Sequence, residues 1–95
     1  MESVLEGIPE KLSALARAQS ALKRSRDILE APTPTHPIPQ IEEELGAELL
    51  AIVAGAREHG LDAEKALRVA TRKWEELVHE QERASRDGVQ DRPES

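Results

Sequence analysis

The stretch Ile41 to Gly60, IEEELGAELLAIVAGAREHG, decides the fold. At about 100° per residue, Ile41, Leu45, Leu49, Ile52, Val53 and Ala56 fall on one side of a helix. Glu44 and Glu48 run along one edge of that side, a turn apart, and Glu42 projects to its other edge. Gly60 stands where a left-handed residue ends a helix, so the spacing predicts a helix from about Gln40 to His59.

Downstream, Asp62 is placed to cap a second helix and Glu64 adds negative charge to its first turn. The predicted span is about Ala63 to Ala84, with an apolar stripe at Leu67, Ala70, Trp74, Leu77 and Val78. A connection this short makes the two helices antiparallel neighbours. Residues 86–95, RDGVQDRPES, are polar and turn-rich and read as a disordered tail.

Upstream, the segment Ala31 to Gln40, APTPTHPIPQ, holds four of the six prolines. Each proline removes a backbone donor and pushes its predecessor toward extended geometry, so this is a semi-rigid connector. His36 within it is expected to face solvent, with no second or third metal ligand at short spacing. Residues 1–8 form a lead-in, and Pro9 suits the first turn of a helix reaching about Glu30. Its apolar positions are Leu12, Leu15, Ala16, Leu22 and Leu29. The basic residues between them, Arg17, Lys23, Arg24 and Arg26, read either as a solvated face or as a source of one phosphate-holding cation.

The fold class is therefore all-α, a three-helix antiparallel bundle in a single domain over residues 9–85. Ninety-five residues, 38% apolar with one Trp and no Phe or Tyr, give a small core without large aromatic side chains. A homodimer that completes the core as a larger helical bundle is expected. The net charge of −6 argues against nucleic-acid and anionic-membrane partners, which need clustered Lys and Arg. No run approaches the roughly 18 apolar residues of a membrane span, and MESVLEGIPEK lacks the basic flank and apolar centre of a signal peptide. The absence of cysteine rules out disulfides and thiolate chemistry, and fits the expected cytoplasmic location.

The glutamates of the Ile41 helix have two readings. Glu42 to Glu44 sit in its first turn, where the helix dipole favours negative charge. Alternatively, Glu43, Glu44 and Glu48 are hard oxygen ligands for Mg²⁺ or Mn²⁺. No nucleophilic triad and no glycine-rich phosphate loop is present, so an enzyme here would be metal-dependent.

Several segments resemble MazG-type nucleoside triphosphate pyrophosphohydrolases. Glu43 to Leu50, Ala56-Arg57 with Gly60 and Asp62, Ala66-Leu67, Ala70-Thr71 and Lys73-Trp74-Glu75 are similar to that family's E-E-L-G-D-L-L helix, A-R-x-x-G-x-D turn and A-L-x-x-A-N-x-K-F-E helix. Ile8 to Gln19 resembles its opening I-P-x-x-L-x-A-L-x-R-A-Q run. The resemblance implies an all-α, usually dimeric protein that hydrolyses nucleoside triphosphates to monophosphate and pyrophosphate with Mg²⁺. It implies catalytic roles for Glu44 and for Lys73, the latter facing phosphate; a second alignment, to E-E-x-x-E, adds Glu43 to the metal, and Glu48, beside Ala47 where a ligand is lost, could compensate. The chain departs from the pattern where Ala47 replaces the Asp of E-x-x-D and Thr71 replaces an Asn. The family's E-E-x-x-E helix has no counterpart, the proline connector standing in its place. Two functions follow: a nucleotide pyrophosphohydrolase, or a catalytically degenerate helical module for dimerisation or nucleotide binding.

Overall fold

A computed structural model describes residues 3–90 of the chain, with side chains through residue 85. It is all-α, as the sequence predicts: α1 spans Ala14–Arg24, α2 Glu42–Glu58 and α3 Ala63–Gln90, with no strand among the described residues.

Helix α1 is shorter than expected at both ends. Ser13 is the cap that starts it, its Oγ accepting from the Ala16 N–H at 3.2 Å, so Pro9 lies in the preceding turn rather than in the helix. At the other end the N–H groups of Ile28 and Leu29 both return to the Ser25 carbonyl, at 2.9 and 3.0 Å. That closes a turn instead of propagating the α-helical ladder. Ser25 is fully buried, and its Oγ accepts from the Trp74 indole N–H at 3.2 Å.

Burial on α1 follows the small residues. Ala14, Ala21 and Ser25 form the side that meets α3, whereas Leu15 and Leu22, read from the sequence as core, stay 48% and 37% exposed. Short side chains let the two helices approach closely, and the leucines are rotated away. On α3 the inward side is Thr71, Glu75 and Val78; Leu77, expected in the stripe, is 51% exposed and Ala70 is also exposed. Val78 and Trp74 of the predicted stripe do face the core, but Ala70 and Leu77 do not, because the buried side turns toward Thr71 and the carboxylate Glu75.

The N-terminal lead-in supplies half of the central cluster. Leu5 and Ile8 pack with Ala21 and Val78, flanked by Val4, Leu12, Ile28, Leu29 and Trp74. Hydrogen bonds fasten it: the Val4 N–H donates to Glu82 at 2.9 Å, and the Arg24 guanidinium donates to the Glu6 carbonyl. Gly7, with φ +86°, makes the turn between the two core residues in the left-handed region that suits glycine.

Helix α2 stands apart. It buries no residue, touches α3 sparsely and has no contact with α1 among the described residues. Its C-terminus is well made: Gly60 has φ +73°, its N–H donates to the Arg57 carbonyl at 3.0 Å, and the Leu61 N–H reaches the Ala56 carbonyl at 2.8 Å. Asp62 then caps α3 as predicted, accepting from the Lys65 N–H at 3.0 Å. The connector has no regular structure and His36 is exposed, also as predicted. Helix α3 alone, at 28 residues, is about 42 Å long, and the chain measures 56 × 28 × 22 Å with a radius of gyration of 16.7 Å. A compact domain of this length would have about 12 Å. Helix α3 continues through Gln90, so the first residues of the predicted tail are helical; the rest of that tail, residues 91–95, lies outside the described residues.

Candidate functional site

The glutamates singled out from the sequence lie where the helix period puts them. Glu43 and Glu44 are exposed in the first turn of α2, and Glu48, one turn beyond Glu44, is half-buried. Glu43 points about 100° away from Glu44 around the helix axis, so it does not join the Glu44–Glu48 edge. Ala47 is exposed between them, and Lys73 is exposed on α3, on the side opposite Glu75. Among the described residues no group of three His, Cys, Asp or Glu could hold a metal ion, and no ion pair links Lys73 to these glutamates. Mg²⁺ is commonly held by one or two carboxylates together with waters and a substrate phosphate, and the Glu44–Glu48 edge offers two carboxylates of that kind.

Charged groups converge elsewhere, on the seam between α1 and the first half of α3. Arg17 meets Glu75 fork to fork, Nε to Oε2 at 2.8 Å and Nη2 to Oε1 at 3.0 Å. Its Nη1 reaches the Pro9 carbonyl at 3.5 Å. The hydrogen bond to Glu75 holds the Arg17 guanidinium above its ordinary pKa, against burial, with the charges of Glu75 and Glu10 adding to the effect. Glu64 joins the helix ends: its Oε2 accepts from the Ala14 N–H at 2.8 Å and from Arg68 Nη2 at 2.6 Å. A half-open cleft of about 210 Å³ lies here, lined by Glu10, Arg17, Arg68 and Arg72.

Further along α3, Glu82 receives the Val4 N–H and lies 3.5 Å from His79 Nδ1. Burial opposes its ionisation, but hydrogen bonds from Val4 and Ser3, together with His79, hold the carboxyl below its ordinary pKa.

Sequence reading by Leu spacing missed Glu75, Ser25 and the cleft, and it named Arg17 among the basic residues without finding its partner. A signal was present, because Ala14, Arg17, Ala18, Ala21 and Ser25 share one side of a helix, as do Thr71, Glu75, Val78 and Glu82. Pairing small residues with opposite charges on two helix sides would have matched them. Compared with protein-family models, with curated proteins and with solved structures, the chain matches none.

Proposed function

We propose that this chain is a helical self-association module, related by the resemblance of its segments to MazG-type nucleoside triphosphate pyrophosphohydrolases, in which α2 joins two copies into a larger bundle. The observation that carries this reading is α2 itself. Leu49, Leu50, Ile52 and Val53 are 39%, 70%, 60% and 48% exposed on a helix that buries nothing. Most helical stability in proteins comes from packing an apolar side rather than from propensity, so the uncovered side of α2 needs a partner. A second copy laid antiparallel fits the charges as well as the apolar side. Glu42, Glu43 and Glu44 at the start of one α2 meet Arg57 at the end of the other, and two-fold symmetry repeats the match.

Sedimentation equilibrium of the full chain tests this, with Leu50→Glu/Val53→Glu as the variant. Wild type is expected to be dimeric at micromolar concentration and the variant monomeric, with α1 and α3 still helical by circular dichroism. A monomeric wild type with native helix content would refute the proposal.

The second reading is the pyrophosphohydrolase, favoured by Glu44 and Glu48 lying one turn apart on α2. Mg²⁺ would sit on Glu44 and Glu48, Lys73 would face phosphate, and further ligands, in place of the Glu43 that the helix turns away, would come from the second copy. Pyrophosphate release from a panel of nucleoside triphosphates, with and without Mg²⁺, distinguishes the two readings. A rate no greater than that of Glu44→Ala/Glu48→Ala leaves the self-association module alone.

A further inference from the structure

We infer that the cleft between α1 and α3 is a phosphate site, in which Arg68, Arg72 and the free edge of Arg17 hold the anion and Glu10 accepts a hydrogen bond from its protonated oxygen. This does not depend on α2 or on the pairing of two copies.

Several guanidinium donors at the cleft have no partner among the described residues. Arg17 spends Nε and Nη2 on Glu75, leaving Nη1 at the cleft edge with only a 3.5 Å contact to the Pro9 carbonyl. Arg68 gives Nη2 to Glu64 and keeps its other donors. Arg72 has no hydrogen-bond or ion-pair partner among the described residues, so all five of its N–H groups are free. Arg68 and Arg72 are one turn apart on α3, about 6 Å along the axis, and Arg17 faces them from α1. Donors that come from two helices into one cleft of about 210 Å³ suit a tetrahedral anion better than a planar carboxylate, which a single guanidinium already matches. Of the carboxylates nearby, Glu64 and Glu75 are already engaged by Arg68 and Arg17, and Glu10 on the rim makes no ion pair among the described residues.

Glu10 decides which anion. A carboxylate on the rim repels a fully ionised ligand but accepts a hydrogen bond from one that keeps a proton. Inorganic phosphate keeps one P–OH throughout the neutral range, because its third ionisation lies far above neutrality, whereas sulfate has none. The cleft should therefore separate phosphate from sulfate, two ions of nearly the same shape.

The test is titration of the full-length chain by nuclear magnetic resonance, reading the arginine Nε–Hε signals at matched ionic strength. Inorganic phosphate, ribose 5-phosphate and sulfate are the probes. Saturable shifts with phosphate at least tenfold tighter than with sulfate are expected. Arg72→Gln should weaken phosphate binding at least tenfold, and Arg83→Gln, far along α3, should leave it unchanged. Glu10→Gln should bring phosphate and sulfate within about twofold of each other. At about pH 5.5, where the ester also keeps a P–OH, tighter binding of ribose 5-phosphate than of inorganic phosphate assigns the site to a phosphate carried on a larger molecule, and the reverse assigns it to the free ion. Equal shifts with phosphate and sulfate in the wild type, or an Arg72→Gln variant that binds as well as wild type, would overturn the inference.

Discussion

Arg17→Met is the perturbation that most directly tests how α1 and α3 are held. The Arg17 side chain is 25% exposed and the Glu75 side chain 11%, so the pair lies between the surface and interior limits. Surface pairs contribute about 0–1 kcal/mol, while removing one partner of a buried pair costs about 3–5 kcal/mol. Glu75 makes no other hydrogen bond among the described residues, so removing Arg17 strands a mostly buried carboxylate. Discounting the interior figure for the partial exposure of Arg17 gives a loss of about 2–3 kcal/mol. For a chain this short that lowers the melting temperature by about 10 °C or more. Arg17→Met/Glu75→Leu, which removes both charges and keeps apolar volume, should recover roughly 2 kcal/mol of that loss. Urea unfolding followed by the single Trp, Trp74, and by circular dichroism gives each corner of the cycle. Protein concentration must be varied, since any self-association adds to apparent stability. An Arg17→Met loss under about 0.5 kcal/mol, or a coupling energy indistinguishable from zero, would refute the reasoning and mark the pair as solvent-screened.

Ser25→Ala strands the Trp74 indole N–H at the edge of the core and should cost about 1–2 kcal/mol, while Ser25→Ala/Trp74→Phe should show a coupling of about 1 kcal/mol in the same unfolding assay. Gly55 is helical with no atom within 4 Å of an added Cβ, so Gly55→Ala should stabilise α2 by about 1 kcal/mol, roughly fivefold in amide-exchange protection across Glu42–Glu58. Because the folded-state pKa of Glu82 is depressed, its stabilising contribution is complete above the unfolded value of about 4.3 and is lost as pH falls through the lower folded value. Glu82→Gln should flatten that acid limb in melts taken from about pH 5 downward, and an unchanged slope would remove Glu82 as its source.

The elements with strong local chemistry were legible from the sequence. The Gly60 stop and the Asp62 cap depend on one or two residues each, and α2 came within two residues of its predicted ends, at Glu42 and Glu58. The connector was equally plain, since prolines act locally. The buried side of α1 was not, because its large residues point outward and its packing is made by Ala14, Ala21 and Ser25, which carry little hydrophobic signal. Leu5 and Ile8 were passed over for a similar reason: a lead-in without helical period has no pattern to read, and only its tertiary contacts with Ala21 and Val78 place it in the core. On α3, Glu75 hid the seam because a carboxylate at a core position looks like a break in the pattern until its arginine is found.

These differences bear on α2 in one direction. The lead-in, α1 and α3 close a core among themselves, using small residues and a charge pair, and they leave no groove that α2 fills. Yet α2 has the most apolar sequence of the three helices and the best-made C-terminus, and local features of that kind stabilise a helix only when something covers its apolar side. Leu50, Ile52 and Val53 are exposed in the single chain, and the proposed pairing of two α2 helices would cover them. The same logic constrains the glutamates: an edge that carries Glu44 and Glu48 beside an exposed apolar strip becomes the rim of an interface once that strip is covered. There the carboxylates need either the basic end of a second α2 or a cation. A dimer interface in which Glu44→Gln/Glu48→Gln strengthens association at low salt would exclude both, since it would mean that the two charges only repel.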